Sequence, residues 1–155
     1  MLFVVLLLAP HCLATADELR RAQSALADLR TSLQSGRIVR AHIFFLPYTI
    51  LTPTAVTPEL LEISAKYKFD VELNAELVGG LIQAIDSTKL HLDNETSDLR
   101  WGAAFFDKSG LRVHSIYLSG WHGSFEPGRK GSIGGVDVEL NRSLVVWFEI
   151  NFDTR

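Results

Sequence analysis

The sequence predicts an α+β fold, in which helices pack on one face of an antiparallel sheet of four to six strands in a single domain. Three observations predict it. Short segments alternate apolar and polar residues, as half-buried strands do. Glycine-containing turns join several of these segments. Two longer segments repeat their apolar residues every three or four positions, as amphipathic helices do.

Residues 1–16 have the pattern of a secretory signal peptide. They carry no acidic or basic side chain, are apolar from Leu2 to Ala9, and end in Ala14-Thr15-Ala16. Small residues at these last positions are typical of a cleavage site, which we expect before Asp17. The mature protein is then secreted or periplasmic.

Two features of this segment leave alternatives open. Pro10 and His11 interrupt the apolar run well short of the about 20 residues that a spanning helix needs, so we expect no permanent membrane span. No Lys or Arg precedes the run, so the true start could lie upstream of Met1, or the segment could be a buried strand or helix. A lipid anchor on Cys12 is a further alternative.

Composition narrows the class of protein. Cys12 is the only cysteine and leaves with the signal peptide, so the mature chain is expected to form no disulfide and no cysteine-ligated metal site. An exported protein without disulfides fits a bacterial periplasm better than a small eukaryotic secreted domain. The formal net charge of −3 gives no basic surface for nucleic acid.

An amphipathic helix is predicted over residues 17–34, with Gly36 just beyond its end. Its apolar positions recur at spacings of three and four residues: Leu19, Ala22, Leu26, Leu29 and Leu33. Residues 17–36 therefore form either a helix packed on the α+β domain of residues 37–155 or a spacer that stands off it. The same stripe offers a surface for self-association through Leu19, Leu26, Leu29 and Leu33.

Residues 38–86 alternate between strand and helix patterns. The predicted elements are strand 38–46, helix 59–66, strand 67–73 and helix 75–86. Thr57 and Asn74 are predicted helix N-caps, and Pro58 suits the first helical position. Gly79 and Gly80 lie inside the second helix, where we expect a close packing contact rather than a phosphate-binding loop, since no Lys-Ser/Thr follows.

The next part of the chain predicts two hairpins. Residues 91–98 are polar and predict a loop. Strands over 101–106 and 111–118 follow, joined by the turn Asp107-Lys108-Ser109-Gly110. After a glycine-rich loop over 119–131, a second hairpin turns at Gly134-Gly135.

Residues 143–152 fit two structures. Their alternation and β-branched content favour a strand, whereas Ser143 can cap a helix that buries Leu144, Trp147, Phe148 and Phe152. The stretch from Leu99 to Phe152 resembles a pattern in small uncharacterised bacterial proteins: a Trp-containing strand, an Asp-Lys-Ser-Gly-like turn, a Ser-Ile-Tyr strand and a Gly-Gly hairpin before a terminal helix. This resemblance implies a helix here and implies no activity.

No recognised catalytic motif is present. None of the five histidines has a partner at a metal-ligand spacing, and the sequence contains no nucleophile elbow, dinucleotide fingerprint or phosphate-binding loop. We therefore expect neither a metal nor a cofactor.

The first candidate contact surface is the glycine-rich loop over residues 120–126. Trp121 and Phe125 are large apolar side chains on this loop, and His122 and Glu126 lie beside them. Aromatic side chains on a loop either fold back onto the core or contact a partner. We therefore predict partner contacts at these four residues, with packing as the alternative.

The second candidate surface is the loop between Pro47 and Pro53, which presents Tyr48 and Ile50. Proline stiffness lowers the ordering cost of binding. A simple connection between strand and helix is the alternative role of this loop.

These observations favour an exported, non-catalytic binding protein that contacts a protein or a small ligand, for example an inhibitor or immunity-type partner of another exported protein. The alternative is a small hydrolase in which His122 is the acid or base, Ser124 the nucleophile, and Asp107 or Glu126 the orienting carboxylate.

His114 is the other histidine of this hydrolase hypothesis. Strict alternation along its strand predicts that it shares a face with Arg112, Ile116 and Leu118. A histidine beside an arginine on such a face is expected to be solvated.

Overall fold

The computed structural model describes residues 11–93, 97–119 and 129–152. Within these residues it contains four helices and seven strands. The helices are α1 His11–Gln34, α2 Pro58–Ser64, α3 Ala75–Asp86 and α4 Ser143–Phe152. The strands are β1 Ile38–Phe45, β2 Tyr67–Glu72, β3 Leu90–Leu92, β4 Leu99–Asp107, β5 Arg112–Ser119, β6 Lys130–Ile133 and β7 Val136–Leu140.

The seven strands form one antiparallel sheet in the order β2-β1-β4-β5-β6-β7-β3. The predicted α+β single-domain class is therefore confirmed. The sheet has one strand more than the predicted range because β3 formed at a place where no strand was predicted, overlapping the predicted loop 91–98 at residues 91 and 92. This short strand pairs with β7, with Leu90 opposite Leu140 and Leu92 opposite Val138.

Three of the helices pack on the same face of the sheet. Their buried side chains and the inner side chains of the strands form the main core, which includes Leu29, Leu81, Trp101, Phe105 and Phe148. The short helix α2 and the loop before it lie on the opposite face, where a smaller cluster includes Phe44, Val56, Leu61 and Tyr117. The main helical layer is thus on one face, as predicted, and α2 is the exception.

Helix α1 is part of the domain core. It begins at His11, six residues before the predicted start, and Ala22, Leu26, Leu29 and Leu33 are all buried. Leu19 is half-buried. Because three of the four leucines proposed for self-association contact the chain's own core, association through this stripe would require α1 to leave the sheet, and it stays a prediction.

Local hydrogen bonds form where the caps were predicted. The Thr57 hydroxyl accepts a hydrogen bond from the Leu60 N–H at 3.3 Å, and Asn74 Oδ1 accepts one from the Leu77 N–H at 2.9 Å. Each cap satisfies a backbone donor that the first helical turn leaves unpaired. Both helix starts are therefore confirmed.

The turn between β4 and β5 is also as predicted. Asp107 Oδ1 accepts hydrogen bonds from the Ser109 hydroxyl and from the backbone N–H groups of Ser109 and Leu111. These donors outweigh the small effect of burial and lower the pKa of Asp107 below its usual value. Gly110 follows with φ +82°, a conformation that favours glycine.

The prediction that His114 and Arg112 share one face of β5 is wrong. Phe105 pairs with His114, but Phe106 pairs with Arg112, so Val113 is an extra residue on β5. Such a β-bulge reverses the alternation of side chains. His114 therefore faces α1 with the core residues of β5, while Arg112 points to the opposite face.

Residues 143–152 form a helix, as the resemblance implied, and the strand alternative is wrong. Helix α4 buries Leu144, Val145, Trp147 and Phe148, a set spaced for one helical face. The β propensity of the segment is overridden because this face covers the inner surface of the sheet beside α3.

Candidate functional site

A polar surface lies on the outer face of the sheet, next to α2. Side-chain alternation in β1 and β2 places Arg40, His42 and Asp70 there, with His42 directly opposite Asp70. Glu62 reaches this face from α2. We call the set Arg40, His42, Glu62, Asp70, Phe106, Arg112 and Tyr117 the outer-face cluster.

Phe106 of β4 is the apolar centre of this cluster. The His42 ring lies 4.4 Å from the Phe106 ring, and the Arg40 guanidinium carbon lies 5.6 Å from the same ring centre. Asp70 Oδ1 is 3.3 Å from His42 Nε2 and 3.7 Å from Arg40 Nε. Arg40 and His42 thus pack between the Phe106 ring and the Asp70 carboxylate, and both remain partly exposed.

Glu62, Arg112 and Tyr117 form a hydrogen-bonded network beside this centre. Arg112 donates from both of its terminal nitrogens to the Glu62 carboxylate, at 2.8 and 3.1 Å, and the Tyr117 hydroxyl donates to the same carboxylate. Burial acts to raise the pKa of Glu62, but the hydrogen bonds from Arg112 and Tyr117 outweigh it and lower that pKa. Burial, with the Glu62 carboxylate, raises the pKa of Tyr117 to about 12.

The acidic groups of the outer-face cluster are paired, and no serine lies beside His42 in its cross-strand row. Its described acidic groups each have a cationic partner, and Ser115, the hydroxyl side chain in the same cross-strand row as His42, lies two strands away. Neighbouring strands are about 4.8 Å apart, so these two residues are separated by about 10 Å. His42 therefore has no serine nucleophile at hydrogen-bond distance on this row.

Arg100 fixes the backbone of the loop between Pro47 and Pro53, which carries Tyr48 and Ile50. This arginine is 3% exposed and donates to Asp98 Oδ2 at 2.7 and 2.9 Å, and to the Ile50 carbonyl at 2.8 Å. Tyr48 packs edge-on against Phe45.

Both predicted contact residues of this loop are consequently half-buried. Leu51, which is 90% exposed, is the large apolar side chain that the loop presents to solvent, and Ile63 of α2 is 77% exposed.

The predicted contact residues Trp121, His122, Phe125 and Glu126 lie outside the described residues, so their role stays a prediction. Strand β5 ends at Ser119 and β6 begins at Lys130, so this segment joins two neighbouring strands. Asp107 ends β4 beside the start of β5, and β5 itself extends about 23 Å from Arg112 to Ser119 at the usual rise per residue. The structure therefore does not bring Asp107 to the start of this loop.

His114 lies at a cleft between α1 and β5. Its Nε2 is 3.2 Å from the Ser32 hydroxyl, and the cleft of about 350 Å³ is lined by residues that include Ala25, Leu29 and Gly134. Burial lowers the pKa of His114 below its usual 6.5, Arg37 lowers it further, and Asp28 opposes the shift. Burial thus favours the neutral imidazole, and His114 is half-buried at the cleft.

The described residues contain no group of three or more His, Cys, Asp or Glu side chains placed to hold a metal ion. Among them there is also no helix with the length and apolar character needed to cross a membrane.

The fold and the outer-face cluster define a single-domain α+β protein whose sheet is covered by helices on one face and partly open on the other. Comparison of the chain with protein-family models, with curated proteins and with solved structures finds no match.

The outer-face cluster was not predicted from the sequence, although the alternation of polar residues in two of its strands was visible there. Arg40 and His42 alternate with the buried residues Ala41 and Ile43 in β1, and Asp70 alternates with half-buried residues in β2. That alternation marks a polar face, but only the pairing of β1 with β2 and β4 shows which of these side chains meet.

Proposed function

We propose that this chain is a non-catalytic binding protein that acts after export, and that it contacts a protein partner through the outer-face cluster. An inhibitor or immunity-type partner of another exported protein is the form we favour. The single observation that supports the proposal is the packing of Arg40 and His42 against Phe106, with Asp70 holding both.

Arginine and aromatic side chains are enriched where protein interfaces concentrate their binding energy. An interface residue contributes more when its conformation is fixed before binding, because less entropy is lost on association. Arg40 meets the first condition. Both Arg40 and His42 are partly exposed and pack on the Phe106 ring, with Asp70 Oδ1 3.7 Å from Arg40 Nε and 3.3 Å from His42 Nε2, and this packing restricts their conformations before binding.

The binding test is capture from the native cell envelope with matched baits, followed by mass spectrometry. Arg40→Ala removes a cluster residue, whereas Arg142→Ala removes a similarly exposed arginine that directly precedes α4 and pairs with Glu149 at 3.4 Å. We expect a specific partner to be retained by the wild type and by Arg142→Ala, and reduced at least about tenfold by Arg40→Ala.

Two outcomes count against the proposal. A partner that tolerates both substitutions would place binding elsewhere, and the Trp121→Ala protein then tests the loop over 120–126. The absence of any specific partner contradicts binding as the function. Thermal unfolding of each variant checks that a lost partner reflects a lost contact.

The export part has its own measurement. N-terminal sequencing of the protein recovered from its native cells is expected to begin at Asp17 if Ala16 is the cleavage site. Recovery of the chain in the cytoplasm with Met1 intact would contradict export and would leave the binding test unaffected.

The Ser32–His114 contact favours one alternative, a small hydrolase. In this mechanism neutral His114 accepts the hydroxyl proton as Ser32 attacks an ester or amide carbonyl, and then returns the proton to the leaving group. A panel of small esters tests it, with Ser32→Ala and His114→Gln as variants. Equal turnover by wild type and both variants rejects this alternative.

A further inference from the structure

We propose that the free edge of β2 binds the same edge of a second copy of this chain, as an antiparallel pair of strands centred on Phe69. The proposal goes beyond the proposed binding function. It rests on the position of β2 in the sheet, on the direction of its backbone amides and on the order of its charges.

Strand β2 is an outer strand of the described sheet, and only β1 lies beside it. It pairs with β1 over all six residues without a register shift. Edge strands that avoid pairing are commonly very short, bulged, interrupted by proline or lined with charged side chains. Strand β2 is neither bulged nor interrupted by proline and has six residues, whereas β3 at the opposite edge has three. It does carry charged side chains, so pairing at this edge depends on whether those charges complement each other.

The backbone direction identifies the hydrogen-bonding groups at this edge. Leu73 donates its N–H to the Val39 carbonyl of the β1 side at 2.9 Å. Successive residues of a strand direct their backbone groups to opposite sides. Lys68, Asp70 and Glu72 therefore present both N–H and C=O at the free edge, where an antiparallel strand can pair with them.

The charges of this edge are self-complementary. From residue 66 to residue 72 the sequence reads Lys-Tyr-Lys-Phe-Asp-Val-Glu. Antiparallel pairing about Phe69 places Lys68 opposite Asp70 of the second copy. When the pairing extends by one residue to Lys66, which directly precedes β2, it also places Lys66 opposite Glu72. The two-fold axis repeats both pairs, so four opposite-charge contacts form and like charges never lie opposite each other.

On the core-facing side of β2, the same pairing brings apolar side chains together. Phe69 meets its symmetry mate, and Tyr67 meets Val71 of the second copy. All three side chains are half-buried in the single chain, so pairing would cover their remaining exposed surface. Cross-strand aromatic and opposite-charge pairs both stabilise antiparallel sheets.

Charge exchange in the full chain provides the test, with association measured by sedimentation equilibrium. Lys66→Glu places two carboxylates opposite each other at each symmetry-related contact, and Glu72→Lys places two ammonium groups there. Each variant alone is expected to weaken association about tenfold. Lys89→Glu, the same charge change near the opposite edge of the sheet, is the control and is expected to leave association unchanged.

Mixing the two single variants gives the decisive result. In the mixed dimer the carboxylate introduced by Lys66→Glu on one chain faces the ammonium group introduced by Glu72→Lys on the other. The remaining contact joins the unchanged Glu72 of the first chain to the unchanged Lys66 of the second, so full charge complementarity returns. We expect an equimolar mixture to associate as tightly as the wild type. All these side chains are exposed, so we expect each variant to fold. Circular dichroism of each variant checks this.

Three outcomes overturn the proposal. The first is a wild type that stays monomeric up to about 1 mM, which corresponds to only about 4 kcal/mol of association free energy. The second is a dimer that neither single variant weakens, and the third is a mixture that does not recover the affinity of the wild type. The measurement uses no external partner, so its failure leaves the proposed binding function in place.

Discussion

The indole ring of Trp147 in α4 lies directly over Gly80 in α3. A Cβ atom on Gly80 would be 3.3 Å from both Cδ1 and Nε1 of the indole, and that Nε1 donates a hydrogen bond to the Leu77 carbonyl at 3.3 Å. Gly79 has nothing within 4 Å of the corresponding position. The packing contact predicted at the Gly-Gly pair is thus confirmed, and it belongs to Gly80.

This difference predicts unequal effects of two neighbouring substitutions. Gly79→Ala is expected to stabilise the protein by about 1 kcal/mol, because alanine is the better helix former and the site is open. Gly80→Ala gains the same propensity but requires the Trp147 ring to shift by a few tenths of an ångström, so we expect it to be less stable than Gly79→Ala by about 1 kcal/mol. Urea denaturation of both variants measures the difference. Equal stabilisation by both would mean that the indole has room to move.

Tyr117 predicts a loss of stability at high pH. Its folded-state pKa of about 12 lies above the usual 10.0 because of burial and the Glu62 carboxylate. The folded state therefore keeps the phenol proton at pH values where the unfolded chain has lost it. The contribution is fully present below about pH 10 and decreases as the pH rises to about 12, by at most about 3 kcal/mol, since solvent screening reduces it.

Ultraviolet titration checks this prediction, because the chain has only three tyrosines. One tyrosine should ionise late in the folded wild type, and Tyr117→Phe should remove that late step. If the late step persists in Tyr117→Phe, the assignment to this residue is incorrect.

The buried Arg100–Asp98 pair predicts a large effect of removing its acid. Asp98→Ala would leave the Arg100 guanidinium buried without its carboxylate and would remove the acceptor of the Val56 N–H. Loss of one partner of a buried pair costs about 3 to 5 kcal/mol of unfolding free energy.

A matched control comes from the more exposed pair of Arg30 and Asp86. Asp86→Ala is expected to change the stability far less, because solvent screens a surface pair. Similar losses for the two variants, measured by thermal unfolding, would contradict the special role of burial at Arg100.

The sequence by itself determined the features that short-range chemistry controls. Thr57 and Asn74 cap their helices within three residues, Asp107 closes its turn within four, and the spacing of Leu26, Leu29 and Leu33 specifies a buried helix face. Each of these depends on hydrogen bonds or periodicity within one segment.

The tertiary structure decided what depends on pairing between distant segments. The bulge at Val113, which sends Arg112 to the outer face and His114 to the inner face, is defined only against β4. Strand β3 exists because β7 pairs with it. The burial of Tyr48 and Ile50 follows from Arg100, about 50 residues further along the chain.

The outer-face cluster also depends on pairing between distant segments, and for this reason it could not be predicted from the sequence. Its side chains come from β1, α2, β2, β4 and β5, and only the order of the strands brings them together. A single sequence specifies which residues are polar and which face of each strand they share. Which strands become neighbours is decided by the global packing of the core, because cross-strand contacts join residues that are far apart in the chain.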